Sequence, residues 1–216
     1  MSSQSAKVLK NRAMEHGEAK WIQLRAIEWR DPSGKERKWE AADRTTRNGD
    51  VDAVAICAII TRPSSEPHIL LISQFRPPVA ASVIEMPAGL IDAGEEGDDG
   101  TRRAALRELE EETGYGTTNE GGQVDVLETS AIMVNDPGLS GANMKLCVVR
   151  INLADDAAEP VAKPEEGEFI EKHLVPLKQL YRTLKDFEKK GYAVDARLAH
   201  LAVGLELASP QGMFKI

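Results

Sequence analysis

The sequence predicts a mixed α/β fold, an α+β arrangement with helices packed on a mixed sheet, preceded by a small β-ribbon. Three observations carry this. Strand-like apolar runs and turn signals fill residues 51–75 and 124–153, and a single Glu- and Arg-rich helical stretch, 101–113, lies between them. Two further helical stretches, 176–189 and 195–207, close the chain, with Leu177, Leu180, Leu184 and Phe187 on one stripe that reads as core. Near the other end, two short extended runs flank the turn signal Asp31-Pro32-Ser33-Gly34.

In order, residues 1–18 are polar and read as a loose arm, followed by a two-stranded ribbon over 20–29 and 35–40. A lone hairpin is marginal in water, so the ribbon is expected to pack on the main domain or on a second subunit. It carries all three tryptophans, Trp21, Trp29 and Trp39. The polar junction 44–50 marks an expected boundary between an N-terminal segment, 1–50, and a main domain, 51–216. Beyond it come a buried strand over 51–61, a loop over 63–67 and a strand over 68–75 broken by Arg76-Pro77-Pro78. A short extended piece over 83–86 leads to Pro87-Ala88-Gly89, and an acidic, Gly-rich loop over 92–101 follows. Thr101 or a neighbour caps the helix that ends at Thr113, with Gly114 as its left-handed terminator. Strands are expected over 124–133, 144–153 and 168–175, with a loop over 155–167.

With 216 residues, 42% of them apolar, the chain suits a domain with a full core. A net charge of -8 argues against a nucleic-acid surface, which needs clustered Lys and Arg. The only cysteines, Cys57 and Cys147, lie in apolar runs and read as buried free thiols of a reducing compartment. No apolar run is long enough to cross a bilayer as a helix, and a cytoplasmic protein is the expectation.

Chemistry concentrates in Arg107-Glu108-Leu109-Glu110-Glu111-Glu112-Thr113-Gly114-Tyr115. Residues three and four apart share a helix face, so Glu108, Glu111 and Glu112 repel one another unless the face is solvated or holds a hard cation. Read with Gly89-Leu90-Ile91-Asp92-Ala93-Gly94-Glu95, this stretch resembles the Nudix box: Gly, five residues, Glu, seven residues, then Arg-Glu-hydrophobic-any-Glu-Glu-any-Gly-hydrophobic. Eleven residues rather than seven separate Glu95 from Arg107, an insertion of four that 96–100 would hold in the loop ahead of the helix.

The resemblance implies a Nudix fold, an α/β/α sandwich, and hydrolysis of a nucleoside diphosphate linked to another group. It further implies that Glu108, Glu111, Glu112 and the Ala88 carbonyl hold Mg2+, with Mn2+ an alternative. Arg107 and Glu95 would form a structural ion pair. Outside the box, Trp21, Trp39-Glu40, Arg44-Thr45-Thr46-Arg47, Gln74 to Pro78, Glu85 to Asp92, Asp136 to Ser140, Gly167-Glu168-Phe169 and Val194 to Arg197 resemble the eukaryotic ADP-ribose (ADP-sugar) pyrophosphatase branch. That likeness implies a homodimer with an exchanged ribbon and a nucleotide-sugar substrate. Trp21 and Trp39 would sandwich adenine, while Trp29 stays a packing residue. Arg44 and Arg76 would meet phosphate or ribose, Glu85 metal or a ribose-side group, and Leu90 the terminal ribose. Glu168 becomes the candidate base. The alternatives are a hydrolase of GDP-mannose or an oxidised nucleotide, or a catalytically silent module that binds ADP-ribose.

Overall fold

The computed structural model describes residues 5–209 apart from 16, 48 and 117–121. Strands β1 (Ile22–Arg30) and β2 (Glu36–Arg44) pair antiparallel as the ribbon. The turn between them is closed by Asp31, whose Oδ1 accepts the Ser33 and Lys35 N–H groups. From there the chain builds β3 (Ala53–Arg62), β4 (Ser65–Arg76), β5 (Ala81–Glu85), β6 (Ala88–Leu90) and helix α1 (Gly97–Thr113). Strands β7 (Gly122–Thr129), β8 (Met133–Val134), β9 (Asn143–Leu153) and β10 (Glu171–Pro176) follow. Helix α2 (Leu180–Lys189), strand β11 (Ala193–Val194) and helix α3 (Ala196–Ala208) complete it.

The nine main strands form one mixed sheet in the order β11-β5-β4-β3-β9-β7, with β10 along β4, β6 on β3 and β8 on β9. Strand β3 is central and runs parallel to β9, which is why its apolar residues are continuous rather than alternating. One face, with Ile56, Cys147 and Val149, packs on Ala104, Ala105 and Leu109 of α1. The other, with Ile69, Leu71 and Ile84, packs on Leu180, Leu184, Leu198 and Ala202 of α2 and α3. The helices thus sandwich the sheet, as the fold class requires. The stripe read as core is core: Leu180 and Leu184 are buried, with Leu177 and Phe187 packed against them.

Several expectations are corrected. The inserted residues do not form a loop; 97–100 become the first turn of α1. Asp98 and Asp99 sit at its positive end, and Lys145 pairs with Asp98. Thr101 is therefore no cap; its hydroxyl donates to the Gly97 carbonyl inside the helix. Gly100 makes this possible, because a Cβ there would lie 2.0 Å from the Glu95 backbone. Strand β4 begins at Ser65, so the 63–67 loop shrinks to a tight turn. The strand expected over 124–133 bulges within β7, between Val126 and Glu128, and is parted from β8 at Ser130, whose N–H and Oγ both bond Leu146.

Cys147 is buried, but Cys57 is only half-buried. They lie on adjacent strands with Cys57 opposite Val148 and Cys147 opposite Ile56, so the thiols point to opposite faces of the sheet and cannot bridge. No helix among the described residues is long and apolar enough to cross a membrane.

Candidate active site

The Gly loop and the acidic helix meet at β6. Strand β6 lies antiparallel to the start of β3, and α1 returns over it, so the carboxylates of the helix face the Ala88-Gly89 backbone. Gly89 is required by this approach: a Cβ there would sit 1.9 Å from the Glu108 carboxyl carbon. Glu112, only 4% exposed, accepts the Ala88 N–H at 3.1 Å. Burial pushes the Glu112 carboxyl up to about 8, and the charges of Glu108, Glu168 and Glu85 push it the same way. Glu108 is raised too, first by burial and then by Glu111 and Glu168, although Arg107 opposes the shift.

Arg107 is the hub of the site. It bonds Glu95 through Nε at 3.2 Å and Nη2 at 3.0 Å, the Leu90 carbonyl at 3.2 Å, Glu108 at 2.8 Å and Glu111 at 3.1 Å. The Arg107–Glu95 pair therefore survives the four-residue insertion and ties the loop to the helix. Glu111 is less buried and lines a cleft of about 440 Å3 with Arg103, Leu106, Glu110 and Lys163.

Glu168 is not in a strand, because β10 starts only at Glu171. It closes a turn in which its N–H donates to the Glu165 carbonyl and its carboxylate accepts the Glu165 N–H, both at 3.1 Å. The preceding loop is tied to α1 through the Lys163 N–H and the Glu111 carbonyl, at 2.8 Å. Glu168 is thereby held close enough to raise both Glu108 and Glu112.

On the other side, Glu85 ends β5 almost fully buried and pairs with Arg76 at 2.9 Å. Burial raises its carboxyl, with Arg76 and Arg197 opposing. Asp195 caps α3 by accepting the Arg197 and Leu198 N–H groups and also grips the Arg197 guanidinium, Nη2 to Oδ2 at 2.7 Å.

The remaining sequence candidates are spread along the approach. Leu90 is 40% exposed at the end of β6. Trp39 donates Nε1–H to the Gly138 carbonyl at 3.1 Å, and Trp21 is 61% exposed at the ribbon's root, beside Arg44 at the end of β2. Trp29, expected to pack, is 42% exposed at the far end of the ribbon.

The donor set suits a hard divalent cation. Buried carboxylates crowd together at the cost of raised proton affinity, and a backbone carbonyl strand runs beside them. Among the described residues, no three acidic or imidazole side chains already converge as a cage. Glu108 and Glu111 instead turn onto Arg107.

A glutamate-bearing helix folded back on a glycine loop, over a mixed sheet sandwiched by helices, defines a class of hydrolases. The chain belongs to the Nudix family: the NUDIX domain match spans residues 51–198. It is 44% identical to an uncharacterized Nudix hydrolase of Schizosaccharomyces pombe over 94% of each chain. It is 41% identical to the ADP-ribose pyrophosphatase of Saccharomyces cerevisiae, over 95% of this chain and 86% of that one. With the ADP-sugar pyrophosphatase of Mus musculus, identity is 37% over 89% and 84%. The crystal structure of an ADP compounds hydrolase shares the fold, with a TM-score of 0.56 at 19% identity, covering 98% of this chain and 94% of that chain.

Proposed function

We propose that this chain is a divalent-cation-dependent pyrophosphatase that cleaves the diphosphate of ADP-ribose and related ADP-sugars, giving AMP and ribose 5-phosphate. The observation that carries the reading is Glu112, 4% exposed with its carboxylate accepting the Ala88 N–H on β6, where the nearby charges of Glu108, Glu168 and Glu85 add to burial in lifting it to about 8. Folding alone disfavours such a cluster, and a cation with a diphosphate would relieve it. The names of the yeast and mouse relatives support the substrate class.

In this reading Glu108, Glu111, Glu112 and the Ala88 carbonyl hold Mg2+ or Mn2+. The bound cation would neutralise the diphosphate and lower the pKa of the attacking water. Glu168, on its turn, takes the proton of that water. Arg76, paired with Glu85 and with a side chain 42% exposed, would with Arg44 offer forked contacts to phosphate or ribose oxygens. Trp21 and Trp39 stack on adenine, and Leu90 packs beside the terminal ribose.

The N-terminal segment, 1–50, serves recognition and dimerisation, and the remainder performs the chemistry. The ribbon supports a homodimer, because Ile22, Leu24, Ile27, Trp29 and Trp39 are all more than 40% exposed on the single chain. A cytoplasmic location belongs to the same proposal.

The test is a substrate panel with Mg2+, the products identified by mass. Faster turnover of ADP-ribose than of GDP-mannose or an oxidised nucleotide is expected. The opposite ranking would overturn the substrate assignment, and binding of ADP-ribose without turnover would overturn the enzyme.

A further inference from the structure

The ribbon is bonded to the rest of the chain at one loop. Among the described residues, its hydrogen bonds to the sheet domain all end on the four residues 138–141. Trp39 donates to the Gly138 carbonyl at 3.1 Å, Ala42 donates to the Leu139 carbonyl at 2.9 Å, and Asp43 accepts the Gly141 N–H at 3.0 Å. Ala42 and Ser140 also form an isolated parallel bridge. The placement of Trp39 is therefore inherited from the placement of this loop.

From the domain side, the same loop is gripped by a charged cluster. Asp52, at the lead into β3, has a side chain only 2% exposed. Its Oδ1 accepts Arg47 Nε at 2.8 Å, and its Oδ2 accepts Arg47 Nη2 at 2.6 Å and the Asn143 N–H at 2.9 Å. Asn143, at the start of β9, returns the bond: its Oδ1 accepts the Asp52 N–H at 2.9 Å, and its Nδ2 donates to the Asp50 carbonyl at 2.8 Å. Arg47 Nη2 also donates to the Gly141 carbonyl at 2.6 Å. Gly141 is thus held from both sides, its carbonyl by Arg47 and its N–H by Asp43.

The register of β3 on β9 does not need this cluster, since nine residue pairs align along the two strands. A bidentate ion pair whose carboxylate is buried while its guanidinium is one-third exposed is costly to assemble and rigid once made. What it fixes beyond the strands is the loop that carries the ribbon.

We propose that Arg47, Asp52 and Asn143 form a latch that sets the angle of the ribbon and acts, through the 138–141 loop, to position Trp39 for adenine recognition. They are positioning residues, and none of them touches the reacting atoms. This rests on the reading of Trp39 as an adenine contact, and the experiment separates the two. Asp52→Asn removes the charge at constant volume. In the full-length protein with ADP-ribose and Mg2+, it should raise KM about tenfold and leave kcat within about twofold, the signature of lost ground-state binding.

In a Trp39→Ala background the same substitution should add little, because both act on one contact and their effects are not additive. Additive effects on KM, or a lowered melting temperature with KM unchanged while Trp39→Ala alone raises KM, would overturn the latch. A Trp39→Ala variant with unchanged KM would instead overturn the adenine reading, and the latch's role in specificity with it. If Asp52→Asn fails to fold, Arg47→Lys carries the same test, because it keeps the charge and loses the fork and the bond to Gly141.

Discussion

Glu108 faces two demands at once, an ion pair with Arg107 at 2.8 Å and a backbone so close that only glycine fits opposite it. Two substitutions separate these. Glu108→Gln keeps the volume and removes the charge, so turnover should fall by about a hundredfold or more while the far-ultraviolet circular dichroism stays native. Wild-type turnover would remove Glu108 from the cation set. Gly89→Ala places a methyl group on the Glu108 carboxylate, whose flexible end can yield. It should therefore cost activity far more than stability, by roughly 1 kcal/mol or less in thermal unfolding. A loss of fold rather than of turnover would show the loop to be structural only. The identities of these side chains were legible in the sequence because the motif is local and their spacing is helical. The position of Glu168 was only half legible: its neighbours read as a strand, but Gly167 at φ +93° and the reciprocal bonds to Glu165 make a turn.

Helix α1 shows where pattern reading stops. Gly97 to Gly100 have loop composition, and only the close approach to Glu95 explains why glycine at position 100 serves a helix. Its other end was legible: Gly114, at φ +79°, accepts no strain, and its N–H donates to the Glu110 carbonyl. The structure adds that a Cβ on Gly114 would lie 2.7 Å from the Val161 backbone, in the loop that leads to Glu168. Gly114→Ala should therefore destabilise by about 1–3 kcal/mol in urea unfolding, combining positive-φ strain with a backbone clash. It should also lower kcat, since the displaced loop carries Glu168. An unaltered midpoint would mean that the loop yields freely. Strand β11 was not foreseen, because two residues paired parallel to Val83 and Ile84 leave no periodic signal.

At the scale of the whole molecule, the sandwich of α1 against α2 and α3 followed from element order, but the union of ribbon and sheet did not. Asp52 and Asn143 are 91 residues apart, and nothing local announces their exchange of bonds. Burial pushes the Asp52 carboxyl up, yet the bonds from Arg47 and the Asn143 N–H outweigh it and hold the carboxyl below its ordinary value. A depressed carboxylate contributes stability above the unfolded value of about 4 and loses it as pH falls through the folded value. Pepsin cleavage between residues 44 and 52 should therefore rise below about pH 4, before the circular dichroism of the sheet is lost. In Asp52→Asn the same cleavage should already be fast at the upper end of that range; a wild-type profile there would detach the acid response from this pair. The ribbon also has a spectroscopic consequence. Trp21, Trp29 and Trp39 are the only tryptophans in the chain, so the indole emission of the native protein comes from the ribbon and its root alone, and its lifetime or quenching follows that segment while the sheet and its helices stay dark.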